Sequence, residues 1–141
     1  MLSKTQSQGT TTVVNKLDII HSVYRNFQME VIAGEENFTV TQPHLDCTFT
    51  FDFSKVYWNT RLETEHRRLV EGFKVGEAVC DVFAGVGPFA VPAGRRKCFV
   101  LANDLNPDSY GSMTGNITVN KVWSLGLVCL AQLVDGRWIS L

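Results

Sequence analysis

The stretch Asp81-Val-Phe-Ala-Gly-Val-Gly-Pro-Phe-Ala-Val-Pro92 places an acidic residue at the end of an apolar run and two glycines just after it. The run Ala78–Phe83 has the composition of a strand and Pro88–Arg96 that of a short helix, so the segment reads strand, glycine turn, helix. Such a turn offers backbone N–H groups and a close backbone surface to a nucleotide-like ligand. Gly85 and Gly87 allow that approach because a Cβ would collide. From Gly85 the residues G-V-G-P-F-A fit G-x-G-x-x-A, and Asp104 follows 19 residues later, where a carboxylate accepts both ribose hydroxyls. Two ligands fit this turn, a dinucleotide such as NAD and the methyl donor S-adenosylmethionine. Asp81 favours the second, since it attracts a cationic methionine portion and repels a pyrophosphate. Pro88 also removes an N–H where a pyrophosphate needs donors.

Outward from the turn the alternation continues. A strand at Cys98–Asn103, a helix at about Pro107–Val119 and a strand at about Leu125–Leu130 make the start of a parallel α/β sheet with right-handed crossovers. Asn106-Pro107 is an N-cap followed by proline at the first helical position. Arg95-Arg96-Lys97 closes the first short helix, where positive charge complements exposed carbonyls; phosphate binding is the competing reading. Upstream, Leu62–Phe73 carries charge on one side and Leu62, Leu69, Val70 and Phe73 on the other, which predicts a helix. Cys47–Phe53 alternates at period two as a half-buried strand does, and Met29–Ala33 is extended up to Gly34. Val14, Leu17, Ile20 and Val23 or Tyr24 recur at helical spacing, predicting one amphipathic helix over Val13–Phe27. Residues 1–12 read as a disordered lead.

Composition narrows the classes. With 141 residues, 45% hydrophobic and 19% charged, the chain is an ordinary globular one with room for one domain and a modest core. Thirteen Lys+Arg against fourteen Asp+Glu leave a net charge of −1, so a nucleic-acid partner must be met by a local basic patch. The four cysteines, Cys47, Cys80, Cys98 and Cys129, lack a C-x-x-C pair and read as buried free thiols of a reducing compartment, not a zinc site. No run approaches the ~18 apolar residues of a membrane span, and the chain is expected to be soluble and monomeric.

The flanking runs add a substrate. Tyr24-Arg-Asn-Phe-Gln-Met-Glu30, Ala33-Gly-Glu35, Phe51-Asp-Phe-Ser-Lys-Val-Tyr-Trp-Asn59, Arg61-Leu62 and Thr64-Glu-His66 precede the turn, and Asn103-Asp-Leu-Asn-Pro107 follows it. Together with the glycine turn and Val119-Asn120-Lys121 they resemble the archaeal and eukaryotic tRNA (guanine-N1)-methyltransferases, which modify the guanosine at tRNA position 37 beside the anticodon. The resemblance implies methyl transfer from S-adenosylmethionine to N1 of guanine, in the cytoplasm, nucleus or mitochondrial matrix. A base must then remove the N1 proton, and the charge developing at O6 must meet a cation. Carried onto this chain, the family's base is Glu65 and its group over O6 is Arg25, with Tyr57 and Arg61 in the guanine pocket. His66, Asp104, Leu105 and Asn106 match cofactor-contacting positions, and Asp81, Phe83, Ala84, Gly85 and Gly87 shape the methionine end.

The fold class this implies is α/β: an incomplete Rossmann-like class I methyltransferase sheet over residues 62–141, preceded by a small α+β positioning module over 13–61. From about residue 122 the chain departs from the family, whose Asn-Leu-Pro or Asn-Pro-Pro motif has no counterpart here; Asp135-Gly136 is at most an imitation of a family Asp-Gly. A truncated chain with little or no transferase activity alone is therefore expected. An NAD(P)-binding unit and a non-catalytic RNA-binding fragment are the alternative readings.

Overall fold

A computed structural model describes residues 10–20, 24, 27–122, 128–134 and 137–140. Arg25 and the Asp135-Gly136 pair lie outside the described residues.

Two antiparallel hairpins open the chain. The first pairs β1 (Thr12–Ile20) with β2 (Phe27–Gly34), and the second pairs β3 (Thr39–His44) with β4 (Cys47–Asp52). In place of the helix expected over Val13–Phe27, residues 13–20 belong to a strand and Phe27 begins its partner. Thr11-Thr-Val-Val14 is a β-branched run, stiff at χ1 and suited to a pleated surface, and it alternates along β1: Thr12 and Val14 are half-buried, Val13 and Asn15 exposed. The three-residue spacing of Val14 and Leu17 fits a helix only until the ladder to β2 is counted. Residue Glu35 anchors the open end of this hairpin, donating its N–H to the Thr11 carbonyl at 3.2 Å and accepting from the Thr12 hydroxyl at 2.9 Å.

The β3–β4 turn is two residues, Leu45 and Asp46, both left-handed at φ 49° and 60° as a tight hairpin requires. β4 then alternates buried Cys47, Phe49 and Phe51 with exposed Thr48 and Thr50. After a 3-10 turn at Thr60–Leu62 comes α1 (Glu63–Gly72), which buries only His66 and Val70.

The second half runs β5 (Ala78–Asp81), α2 (Ala90–Arg95), β6 (Phe99–Ala102), α3 (Pro107–Val119), β7 (Val128–Val134) and β8 (Arg137–Ser140). β5, β6 and β7 are parallel neighbours in that order, with Ala78 opposite Phe99 and Val100 opposite Val128; β8 joins β7 antiparallel. The fold is mixed α/β, with the helix–strand alternation read from the sequence and an added antiparallel edge strand that was not. Asn106 caps α3 by accepting the Asp108 N–H at 3.0 Å, and Pro107 follows as anticipated.

One core joins the hairpin to the sheet. Phe49 and Phe51 of β4 meet Val86, Ala90, Val91, Val100, Met113 and Ile117 in one cluster. Polar groups complete the contact. Asn116 accepts the Thr50 N–H at 2.8 Å and donates to the Val86 carbonyl at 3.1 Å, while Asn120 accepts from Thr48 N at 2.8 Å and donates to Thr48 O at 2.7 Å. Asn116 of α3 and Asn120, its C-cap, thus stand where a neighbouring strand would pair with β4. The thiols divide: Cys47 and Cys98 are buried and free, but Cys80 is exposed, because β5 turns Val79 inward and Cys80 to the opposite face. The side chain of Cys129 lies outside the described residues.

Candidate functional site

The carboxyl ends of the parallel strands β5 and β6 open into a cleft, the place where open α/β sheets bind ligands. The glycine turn is fastened to the next strand's end by backbone bonds, Asn103 N to Asp81 O at 2.9 Å and Ala84 N to Asn103 O at 2.8 Å. Asp104 locks the two loops together. Its Oδ2 accepts the Gly85 N–H at 2.7 Å and its Oδ1 the Asn106 N–H at 2.9 Å. Each oxygen keeps a second lone pair, so the carboxylate is held in place and still able to accept from a ligand.

The two glycines do different work. Gly87, at φ +94°, faces the core: a Cβ there would lie 2.9 Å from Val91 Cγ2 and 3.2 Å from Met113 Cγ. Gly85, at φ +56°, faces open space, and a Cβ would project beside the cavity it lines. Behind the turn sits Asp81. Burial pushes its carboxyl up to about 6, opposed by a hydrogen bond from the Phe83 backbone and reinforced by the charge of Asp104. Its Oδ2 is buried with no hydrogen-bond partner among the described residues. An orphaned acceptor of this kind fits a cationic ligand group.

A cavity of about 260 Å³ adjoins this cradle. Ala84, Gly85 and Val86 form one side, Asp104 and Asn106 another, and Trp58, His66 and Phe89 a third, with Tyr24 and Tyr57 also on the wall. Phe83 stands 87% exposed at its edge, with its ring open to solvent. Apolar walls with a few fixed polar groups are the ordinary form of a small-molecule site.

His66 reaches the cavity from α1. Its Nδ1 lies 3.0 Å from Nε2 of the buried His44, and its ring stands edge-on to Phe89 at 4.7 Å. Burial lowers the pKa of both histidines; for His66, Glu65 and Glu63 oppose that shift.

The remaining sequence-predicted residues are spread out. Tyr57 lines the cavity, its hydroxyl accepting from Asn59 Nδ2 at 3.5 Å. Arg61 and Leu105 are exposed and off its wall. Glu65 is exposed on α1, also off the wall, and bound through both oxygens to Arg68 at 2.6 and 2.8 Å, a pairing that lowers its pKa. The sequence reading missed Tyr24, Trp58, Ser109 and the supporting His44 as members of this site. Tyr24 and Trp58 lay inside the matched runs, which was the available signal. In the basic cluster, the Arg96 side chain donates to the Glu71 and Phe73 carbonyls at 3.3–3.4 Å and so serves the end of α1, while its backbone N–H caps its own helix at Pro92 and Ala93. Among the described residues no group of three or more His, Cys, Asp or Glu could hold a metal, and no helix is long and apolar enough to cross a membrane.

Comparison with known proteins adds to this geometry. Residues 39–135 match the TRM5/TYW2 methyltransferase domain. The chain is 62% identical over 111 residues to the tRNA (guanine(37)-N(1))-methyltransferase of Schizosaccharomyces pombe, a match covering 79% of this chain and 25% of that protein. It therefore spans about a quarter of the length of that curated relative. Among solved structures it is similar to aTrm5 in complex with tRNALeu, with a TM-score of 0.76 at 27% identity, covering 84% of this chain and 35% of the other. It is also similar to M. jannaschii TYW2 in complex with AdoMet, with a TM-score of 0.62 at 26% identity, covering 71% and 46%.

Proposed function

Since this chain belongs to the TRM5/TYW2 methyltransferase family, we propose that it carries the cofactor cradle of a tRNA (guanine-N1)-methyltransferase, acting at guanosine 37 of the anticodon loop. The observation that carries the reading is the pairing of Asp104, fixed by two backbone N–H groups, with the orphaned Asp81 Oδ2 across an open glycine turn. S-adenosylmethionine has hydroxyls to donate at one end and positive charge at the other, and when bound it supplies an electrophilic methyl group. A pyrophosphate finds no such welcome beside Asp81 and Pro88.

In this reading Asp104 accepts from the ribose hydroxyls, with Leu105 and Asn106 beside it, while Asp81 and the Phe83–Gly87 turn receive the methionine end. Residues 62–141 then form the first part of a Rossmann-like sheet, and residues 13–61 a positioning module that brings Tyr24, Tyr57 and Trp58 to the cavity. Glu65 accepts the N1 proton of guanine, Arg25 stabilises the charge at O6, and Tyr57 and Arg61 border the base. Glu65 exchanges Arg68 for the guanine to do this, since a carboxylate held by a guanidinium is a weaker base. A monomer in the cytoplasm, nucleus or mitochondrial matrix is in keeping with this activity.

Isothermal titration calorimetry of the purified chain tests the cradle. S-adenosylmethionine is expected to bind, NAD not to bind, and Asp104→Ala to lower affinity by at least tenfold, the loss of about one charge-assisted hydrogen bond. Binding of NAD in preference to S-adenosylmethionine would sink the reading.

A further inference from the structure

His44 closes β3, is only 4% exposed and does not line the cavity. Its ring stands edge-on to Phe49, Trp58 and His66, with centroids 5.8, 5.1 and 5.1 Å away. Two of these three, Trp58 and His66, are cavity walls. The chemistry lies in the 3.0 Å contact between His44 Nε2 and His66 Nδ1, along which one proton is shared.

Two arrangements satisfy that contact. If His44 donates, both rings are Nε2–H tautomers; if His66 donates, both are Nδ1–H tautomers. A neutral histidine in water favours Nε2–H, and nothing else is bonded to either Nδ1 or Nε2 among the described hydrogen bonds to reverse that preference. The bond also fixes the ring. A half-turn of His66 about its outer torsion would put a carbon against His44 Nε2 and leave a buried donor unpaired. Phe89, edge-on at 4.7 Å, limits intermediate rotations from another side.

We propose that His44 is a positioning residue for the cofactor site: by donating to Nδ1 it holds His66 as the Nε2–H tautomer and frees that N–H for an acceptor atom of the ligand. The arrangement is that of a metal-ligand histidine oriented by its outer partner, here with an organic ligand in the metal's place. The identity of the ligand rests on the reading above, in which S-adenosylmethionine offers ribose oxygens and adenine nitrogens as acceptors. The pair crosses from the β3–β4 hairpin to α1, so it ties the two elements together beside the cavity.

Long-range proton–nitrogen NMR correlations of the imidazole rings, read beside S-adenosylmethionine affinity, test this. In the wild-type chain His66 is expected as a single Nε2–H tautomer. His44→Phe keeps the aromatic packing and removes the donor; it should give a mixture of tautomers at His66 and weaken binding by about five- to tenfold. His44→Gln, whose amide N–H can reach Nδ1, should restore the single tautomer and bring affinity back to within about twofold of wild type. A His66 whose tautomer ratio in His44→Phe is the same as in the wild type, or that is Nδ1–H in the wild type, would overturn the proposal, as would equal affinity in all three proteins. If the wild-type chain binds no S-adenosylmethionine, the cofactor reading fails and the ligand assigned to His66 falls with it, while the tautomer measurement still decides whether His44 sets the ring.

Discussion

At the scale of single residues, Gly87 bears the strictest requirement in the turn. Its φ of +94° suits no side chain, and a Cβ would meet Val91 Cγ2 at 2.9 Å inside a packed core. Gly87→Ala should cost about 3 kcal/mol, combining backbone strain with overpacking, measured as a lower midpoint of urea unfolding at unchanged slope. Gly85→Ala, facing open space, should cost less than half as much stability while still crowding the ligand. A shift for Gly87→Ala no larger than for Gly85→Ala would contradict the packing described. The sequence showed that both positions were glycine for a reason but assigned both to the ligand. Only the fold separates one glycine that faces a cavity from one that faces Met113. Asp104 was similarly legible as an acceptor from its spacing after Gly85, whereas its two bonds to Gly85 and Asn106 follow from a loop approach that no spacing encodes.

At the scale of elements, the joint between α3 and the β3–β4 hairpin rests on amide side chains. Helix α3 contains Gly111 and Gly115, yet it runs unbroken from Pro107 to Val119 because a full face, Ser109, Tyr110, Met113, Asn116 and Ile117, is buried. Tertiary packing outweighs the ~1 kcal/mol that each glycine costs a helix. Asn116→Ala leaves the Thr50 N–H and the Val86 carbonyl without their partner and should destabilise the chain by about 2–4 kcal/mol. Hydrogen exchange gives a sharper reading. The Thr50 amide should lose protection in Asn116→Ala, and the Thr48 amide in Asn120→Ala. Equal loss at both sites in either variant would mean global loosening and not a local pairing. Helix α1 and strand β4 were readable because each matches one periodicity without competition, and α3 because Asn106-Pro107 marks its start. The β1–β2 hairpin was not, since Val14, Leu17 and Ile20 satisfy helical spacing and the decisive fact, a partner strand at Phe27–Gly34, is non-local.

At the scale of the whole molecule, the groups that shape the cavity pull stability in opposite directions with pH. His44 and His66 have lowered pKa values, so their contribution is present above the ordinary value of 6.5 and is lost as pH falls. Asp81 behaves in reverse. Its carboxyl rises from 3.8 to about 6, so its contribution is present below 3.8 and is lost as pH rises through about 6. Two pK units correspond to on the order of 2–3 kcal/mol of strain from a buried carboxylate at neutral pH. A cationic ligand relieves that strain, so affinity for S-adenosylmethionine should increase as pH rises through about 6. Asp81→Asn separates the effects. The variant should lose the fall in stability between about pH 4 and 6, leaving the histidine-linked rise, while its S-adenosylmethionine affinity becomes lower and insensitive to pH in that range. Chemical denaturation and calorimetry at half-unit pH steps measure both. A wild-type affinity that is flat through pH 6 would mean that Asp81 does not meet the ligand's charge. A variant more stable at pH 7 yet weaker in binding would identify the buried carboxylate as a feature kept for the ligand at the expense of the free chain.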